Sequence, residues 1–431
     1  MSEESGEHRP WPAGLVLLAV VGGICGWLFH RFGIVAAPGR MALAEDALSL
    51  ALAAAAAGAG LGLAWTLERD RWQWGLLFAV GAGITFFVVA YWNGSPGSGS
   101  VDLRWRYATL LIAFAAALPL FQAMRDEGRW RFPYVAVHWY AWTDLTTAVI
   151  AAALVAVGIA VGLHNSDAWS SSWIWGLLGG AGALAIGLAR TVAARFNLQL
   201  PLRRLLWLLS PLMLLAVLAT PLAGSRLGSL AGACLLLAIG SIFILNAVLG
   251  NGPEQQASNA VLRASAMVLG ALLLPLGIVA GAAVWIRIGE HGYSPSRLWA
   301  AVFALAVVAI GIRYLAAIVR RRRLWAEPVR RNNVRVLGAF FLFGLLLATP
   351  VLSFSSIATR DQVDRLAQGK VQPDQFDWQA LRFDFGKPGE RALERLREGV
   401  ATPPEVRGLA ARTLLAQERS EVPAAQPRQR P

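Results

Sequence analysis

Eleven apolar runs of about 17 to 22 residues follow one another along this chain. They are Trp11–Phe29, Leu48–Leu67, Trp72–Trp92, Tyr107–Met124, Trp142–Leu163, Ser172–Leu188, Leu205–Leu222, Ser229–Leu249, Ala266–Ile286, Leu298–Val319 and Val336–Phe354. A helix needs about that length to cross a bilayer. Within hydrocarbon the backbone must satisfy its own N–H and C=O groups, which leaves helices as the outcome for uncharged runs of this kind. The expected fold is all-α: a polytopic transmembrane helical bundle of about 11 spans over residues 11–354. A polar tail, residues 1–10, precedes it. Only 15% of the chain is charged, against about 25% in soluble domains. Eighteen Trp and 43 Gly suit interfacial anchoring and close helix contacts. The N-terminus lacks a basic start and a convincing small-residue cleavage site, so the first run reads as an uncleaved span.

Orientation follows from arginine. Seven arginines (320, 321, 322, 323, 330, 331 and 335) lie between the last two runs. Short loops rich in Lys and Arg stay on the cytoplasmic side. With the N-terminus and this loop inside, the inner loops hold eighteen Lys or Arg and the outer loops seven. The chain is thus expected in the cell inner membrane, N-terminus cytoplasmic and C-terminus periplasmic. An arginine-rich anionic-lipid site is the rival account of that loop. The net charge of +13 is explained by topology, so no nucleic-acid partner is expected. The expected partners are the lipid bilayer and, at the surface, an anionic lipid or another membrane protein.

Within the spans, Gly22 and Gly26 form a small-xxx-small pair that lets another helix approach, and Gly176 and Gly180 form a second. Pro119 is an expected kink in span four, Ser210-Pro211 is expected to interrupt span seven, and Pro275 with Gly277 lies inside span nine. Cys25 and Cys234 are two unrelated buried thiols. From Ser355 the chain turns polar. Residues 355–417 are expected as an extracytoplasmic helical segment. Its helices are one capped by Thr359 with Gln362 and closed by Gly369, then Pro373–Arg382, Glu390–Glu398 and Pro404–Gln417. Leu366, Phe376, Trp378, Leu381 and Phe383 are its expected core. Residues 418–431, polar and proline-bearing, are expected to be disordered.

Three passages carry a family likeness: His138–Asp144 at the entry to span five; Arg287–Arg297 followed by Leu298-Trp299; and Ile357–Leu366 with Gly369-Lys370-Val371, Phe376-Asp377 and Leu381–Asp384. In these the chain resembles the bacterial multi-pass membrane proteins grouped as domain of unknown function 4153. The likeness covers the C-terminal two-thirds loosely. It implies an integral membrane protein with a polar C-terminal segment, and it implies no established activity or catalytic residue.

Chemistry leaves few marks. The chain has no P-loop, GxSxG, HExxH or CxxC, and its five histidines show no ligand spacing, so no catalytic, cofactor or metal site is expected. The candidate surface site is an outer-face cluster of Arg287, Glu290, His291, Tyr293, Arg297, Arg360 and Asp361, an ionic junction of loop and tail around an anionic lipid or sugar-phosphate group. Its plainer account is interfacial anchoring, with Ser294-Pro295 starting span ten. The intramembrane polar candidates are Asp144, Asn246 and Arg313. Arg313 either snorkels or pairs with Asp144, and Asn246 is most simply an interhelical hydrogen bond.

Three functions are open. The first is a non-enzymatic inner-membrane component of envelope assembly or signalling. The second is a transporter or lipid handler, supported by proline- and glycine-broken spans with Arg313 and Asn246. The third is a membrane-embedded transferase using outward carboxylates, with Glu45, Asp46, Asp102, Asp167, Glu290 and Asp361 as candidates.

Overall fold

Apolar runs of bilayer length become helices in the computed structural model. It describes residues 11–37, 40–44, 46–94, 100–162, 171–219, 227–321, 324–400, 402–416 and 418–422. The long helices are α1 (Pro12–Gly33), α2 (Ala47–Thr66), α3 (Trp72–Asn93), α4 (Val101–Glu127), α5 (Tyr134–Gly162), α6 (Ser172–Arg195), α7 (Gln199–Ala219), α8 (Leu227–Leu249), α9 (Ala260–His291), α10 (Pro295–Arg321) and α11 (Ala326–Ala348). Among the described residues, ten helices are long and apolar enough to cross a membrane. α5, 29 residues long, stands beside them and packs on α4, α6 and α11. The fold is an all-α polytopic bundle. One departure is a short antiparallel hairpin after α1, β1 (Ile34–Ala37) with β2 (Arg40–Leu43), pairing Ile34 with Leu43 and Ala37 with Arg40. Periodicity did not reveal it, because strands of four residues carry little pattern.

Successive connections alternate between two faces. On one, the Arg125 side chain reaches Glu68, and Tyr134 donates to Gly250 O at 3.1 Å. On the other, Ser100 bridges to Phe385, and His30 meets Ser172 at 2.8 Å. We call these the arginine face and the cap face.

Two styles of packing hold the bundle. α1 and α6 meet through glycine. A Cβ on Gly26 would strike Trp175 O and lie 3.0 Å from Gly179 Cα, and one on Gly22 would lie 2.7 Å from Gly179 O. Backbones that close gain dispersion along their whole length, a main attraction left between helices in lipid. The two small-residue pairs of the sequence thus lie on two helices packed against each other. α8, α9 and α10 instead interlock large side chains. Leu245, Leu249, Leu269 and Leu273 are wholly buried, with Tyr314 among them. Both cysteines are free: Cys25 lies against Gly60 of α2, and Cys234 lies in the α8–α10 core.

Several expectations are corrected. Span seven is not interrupted at Ser210-Pro211: α7 continues through Pro211, as α4 and α9 continue through Pro119 and Pro275. α12 (Phe354–Ala367) starts earlier than Thr359, on an Ser353 cap whose hydroxyl accepts from Ser356 N. Its end agrees, with Gly369 N donating to Leu366 O at 3.0 Å. α13 (Trp378–Phe383) is short because Asp377 caps it, while α14 (Lys387–Glu398) and α15 (Pro404–Leu415) lie near their expected places. Leu366, Phe376, Trp378 and Leu381 are buried in the cap core, and Phe383 packs at its edge. Residues 418–422 are ordered on the cap: Val422 is 3% exposed and its carbonyl accepts from Gln379 Nε2 at 2.7 Å. Residues 1–10 and 423–431, like Glu45, Asp167, Arg322 and Arg323, lie outside the described residues.

Candidate functional site

The cap face is organised by Asp102. Ser100 caps α4, its hydroxyl accepting from Leu103 N, and Val101 N donates to Asp384 O in the cap at 3.0 Å. One residue further, Asp102 is 2% exposed. Its Oδ2 accepts from Arg106 Nη2 at 2.8 Å and from Ser355 N at 3.2 Å, and its Oδ1 accepts from Trp299 Nε1 at 2.9 Å. Arg106 in turn donates to Asn93 Oδ1 at 2.7 Å, and Asn93 Nδ2 donates to Ala348 O at 2.8 Å. The spacing of four puts Asp102 and Arg106 on one helix face, and a carboxylate in the first turn suits the positive end of α4. Trp299 also packs edge-on against Phe354, 4.9 Å between centroids. One carboxylate thereby joins α4, α10 and the first turn of α12.

The predicted outer cluster lies beside this hub, where α9, α10 and α12 meet. Tyr293 N donates to Asp361 Oδ2 at 2.7 Å. Gln362 Nε2 donates to the carbonyls of His291 and Tyr293, both at 2.9 Å, and Arg365 Nη2 donates to Glu290 O at 3.2 Å. Arg297 Nη1 donates to Gly292 O at 2.8 Å, and Glu290 and His291 approach to 3.6 Å. Gly292 has φ +74°, and a Cβ there would lie 2.5 Å from Asp361 Oδ2, so both the backbone angle and the contact call for glycine. Arg287, Arg365, Asp361 and Asp377 all act electrostatically on Arg297. Arg360 is exposed on α12. The loop and the tail do meet, but through backbone carbonyls and the unforeseen Gln362 and Arg365. α10 begins at Pro295, with Ser294 Oγ accepting from Arg297 N.

The intramembrane candidates part company. Asn246 bridges helices: its Oδ1 accepts from Asn333 Nδ2 at 2.6 Å, and Asn333 Oδ1 accepts from Tyr314 at 2.5 Å. Asp144 is 7% exposed, and its charged partner is Arg190 at 3.6 Å; Gln122 Nε2 donates to it at 3.3 Å. Of the two readings of Arg313, the pair with Asp144 is not formed. Arg313 is exposed on α10, one position before the buried Tyr314, so helical phase turns it away from the bundle.

On the arginine face two buried guanidiniums cap α8. Arg203, 1% exposed, donates to Ala247 O at 3.3 Å, to Gln255 Oε1 at 3.1 Å and to Gln255 O at 3.3 Å. Arg330, 4% exposed, donates to Leu249 O at 2.6 Å and Gln256 Oε1 at 3.2 Å. A helix ends with carbonyls lacking partners and a negative dipole end, and these arginines answer both. His138 is ringed by partners: Trp142 Nε1 at 3.0 Å and Asn246 O at 3.2 Å from its Nε2, and Asn251 Oδ1 beside its Nδ1. The arginine-rich positions 203 and 330 were counted as topology; their burial was not legible, since it depends on where α8 ends.

Among the described residues the outward carboxylates do not assemble; Glu45 and Asp167 lie outside them. Asp46 caps α2, where the Ser49 amide holds its carboxyl below the usual range. Asp102 is paired and Asp361 holds a backbone amide. Among the described residues no group of three His, Cys, Asp or Glu is placed to hold a metal. Comparison with family models, curated proteins and solved structures finds no match to this chain.

Proposed function

We propose that this chain is an integral inner-membrane protein that carries a helical cap on its periplasmic surface and serves as a non-enzymatic component of envelope assembly or signalling. The observation that carries this is the seam between cap and bundle. Asp102 takes the Ser355 amide in the first turn of α12, Ser100 pairs with Phe385, and Asp361 holds the α9–α10 loop. A cap fixed at three places presents one rigid surface instead of a swinging tail. The orientation rests on the excess of arginine in the loops of the opposite face. The likeness to domain of unknown function 4153 belongs with this proposal.

Transport and lipid handling have less support. The prolines leave α4, α7 and α9 continuous, and Arg313 faces outward. The transferase alternative lacks gathered carboxylates among the described residues.

The test has two parts. A reporter fused after Asp384 in a bacterial host is expected to be active in the periplasm; cytoplasmic activity overturns the orientation. Photocrosslinking groups at Val400 and Leu415, exposed cap residues at 95% and 83%, are expected to capture a defined envelope protein in intact cells. Capture of lipid alone from both sites overturns the assembly role.

A further inference from the structure

The strongest unexplained feature lies where α2, α4, α5 and α6 meet. Gln122 and Thr147 are 0% exposed, Thr143 is 2% and Asp144 is 7%. Yet Gln122 Oε1, Thr143 Oγ1, Asp144 Oδ2 and Thr147 Oγ1 have no hydrogen-bond partner among the described residues, and neither does the buried Trp65 Nε1. Contacts join Gln122, Asp144, Arg190 and the Trp65 backbone. Gln122 Nε2 reaches Asp144 Oδ1 at 3.3 Å and Trp65 O at 3.4 Å, and Arg190 Nη1 lies 3.6 Å from Asp144 Oδ1. Thr143 and Thr147 are one turn apart on α5, with Asp144 on the same side.

Other buried threonines of the long helices turn their hydroxyls back onto their own helix: Thr66 onto Gly62 O at 2.6 Å, Thr109 onto Arg106 O at 2.9 Å, Thr146 onto Trp142 O at 2.7 Å. That bond is open to a helical threonine. Thr143 and Thr147 do not make it. Buried polar groups are met by protein or by ordered water, and a site with two to four converging polar partners is where water is held.

We propose that this junction is a built binding site for small, uncharged, hydrogen-bonding molecules, with water as the occupant. The charge class follows from Asp144 and Arg190, which already balance each other. The hydrogen-bond class follows from the lining. Gln122 Oε1 and Asp144 Oδ2 only accept, Trp65 Nε1 only donates, and the threonines do both. Water meets all of them. The junction lies near the arginine-face end of the bundle, where Arg125 Nη1 donates to Thr66 O at 3.1 Å.

The full-length protein in lipid nanodiscs tests this by pulsed hydroxyl-radical labelling, which marks side chains beside bound water. Trp65 is expected to label several-fold faster than Trp299, which is 1% exposed and bonded to Asp102. The double substitution Thr143→Val with Thr147→Val keeps the shape and removes both hydroxyls. It is expected to reduce Trp65 labelling several-fold and to lower Tm by about 2 °C or more. Thr147→Ser, which keeps a hydroxyl, is expected to retain the labelling. Trp65 labelling no faster than that of Trp299 overturns the proposal. So does a rise in Tm in the valine variant, because removing hydroxyls that truly lack partners stabilises a dry site.

Discussion

Asp102 and Asp144 are both buried aspartates near opposite faces, and they are built in opposite ways. Asp102 has both oxygens engaged, by a guanidinium at 2.8 Å, an indole at 2.9 Å and a backbone amide at 3.2 Å. Asp144 has one oxygen near Gln122 and Arg190, at 3.3 and 3.6 Å, and the other without a hydrogen-bond partner among the described residues. A carboxylate in low dielectric is held by its donors. The first is a fastener whose hydrogen-bonding capacity is spent on structure. The second keeps capacity in reserve. A buried acid is therefore informative only together with the count of donors around it.

Substitutions sharpen that contrast. The largest effect is expected from Asp102→Ala, which strands Arg106 and releases Trp299 and the start of α12. A loss of about 3–5 kcal/mol is expected for one member of a buried pair, read as unfolding in detergent by tryptophan fluorescence, with the cap becoming sensitive to protease. Equal stability with the cap still protected would mean that Asp102 does not fasten it. Asp144→Ala is expected to cost less, about 1–2 kcal/mol. Arg190 is only partly buried and near the end of α6, so it can reach the interface. A cost equal to that of Asp102→Ala in the same unfolding assay would erase the distinction between the two acids. The smallest effect belongs to Arg313→Leu. An exposed side chain that misses Asp144 should shift stability by no more than about 0.5 kcal/mol. A sharp drop in folded yield would restore the pair that the sequence suggested.

The sequence disclosed different parts of these sites to different degrees. Asp102 was named only as an outward carboxylate, although Arg106 stands at the helical spacing for a pair with it. That Trp299 and Ser355 complete the set was not legible, since they lie 197 and 253 residues away. The loop 287–297 and Asp361 were named as neighbours from orientation alone. Gln362 and Arg365 were missed because their bonds go to backbone carbonyls, which no side-chain pattern marks. Asp144 was noticed, and of the two readings of Arg313 the pair with Asp144 fails; the partner, Arg190, was not named, because only the phase of each helix separates the two arginines.

The sequence by itself determined the class, the succession of spans, the alternation of their connections and the places where backbones touch through glycine. Each follows from local rules: transfer of apolar runs to lipid, helical period, and the absence of a side chain. The tertiary structure decided which acid is saturated and which is not, which arginines end up capping α8, and how the cap is fixed. Those outcomes depend on distances between residues far apart in the chain, and the energy of a charge or hydrogen bond changes within an ångström or two of separation.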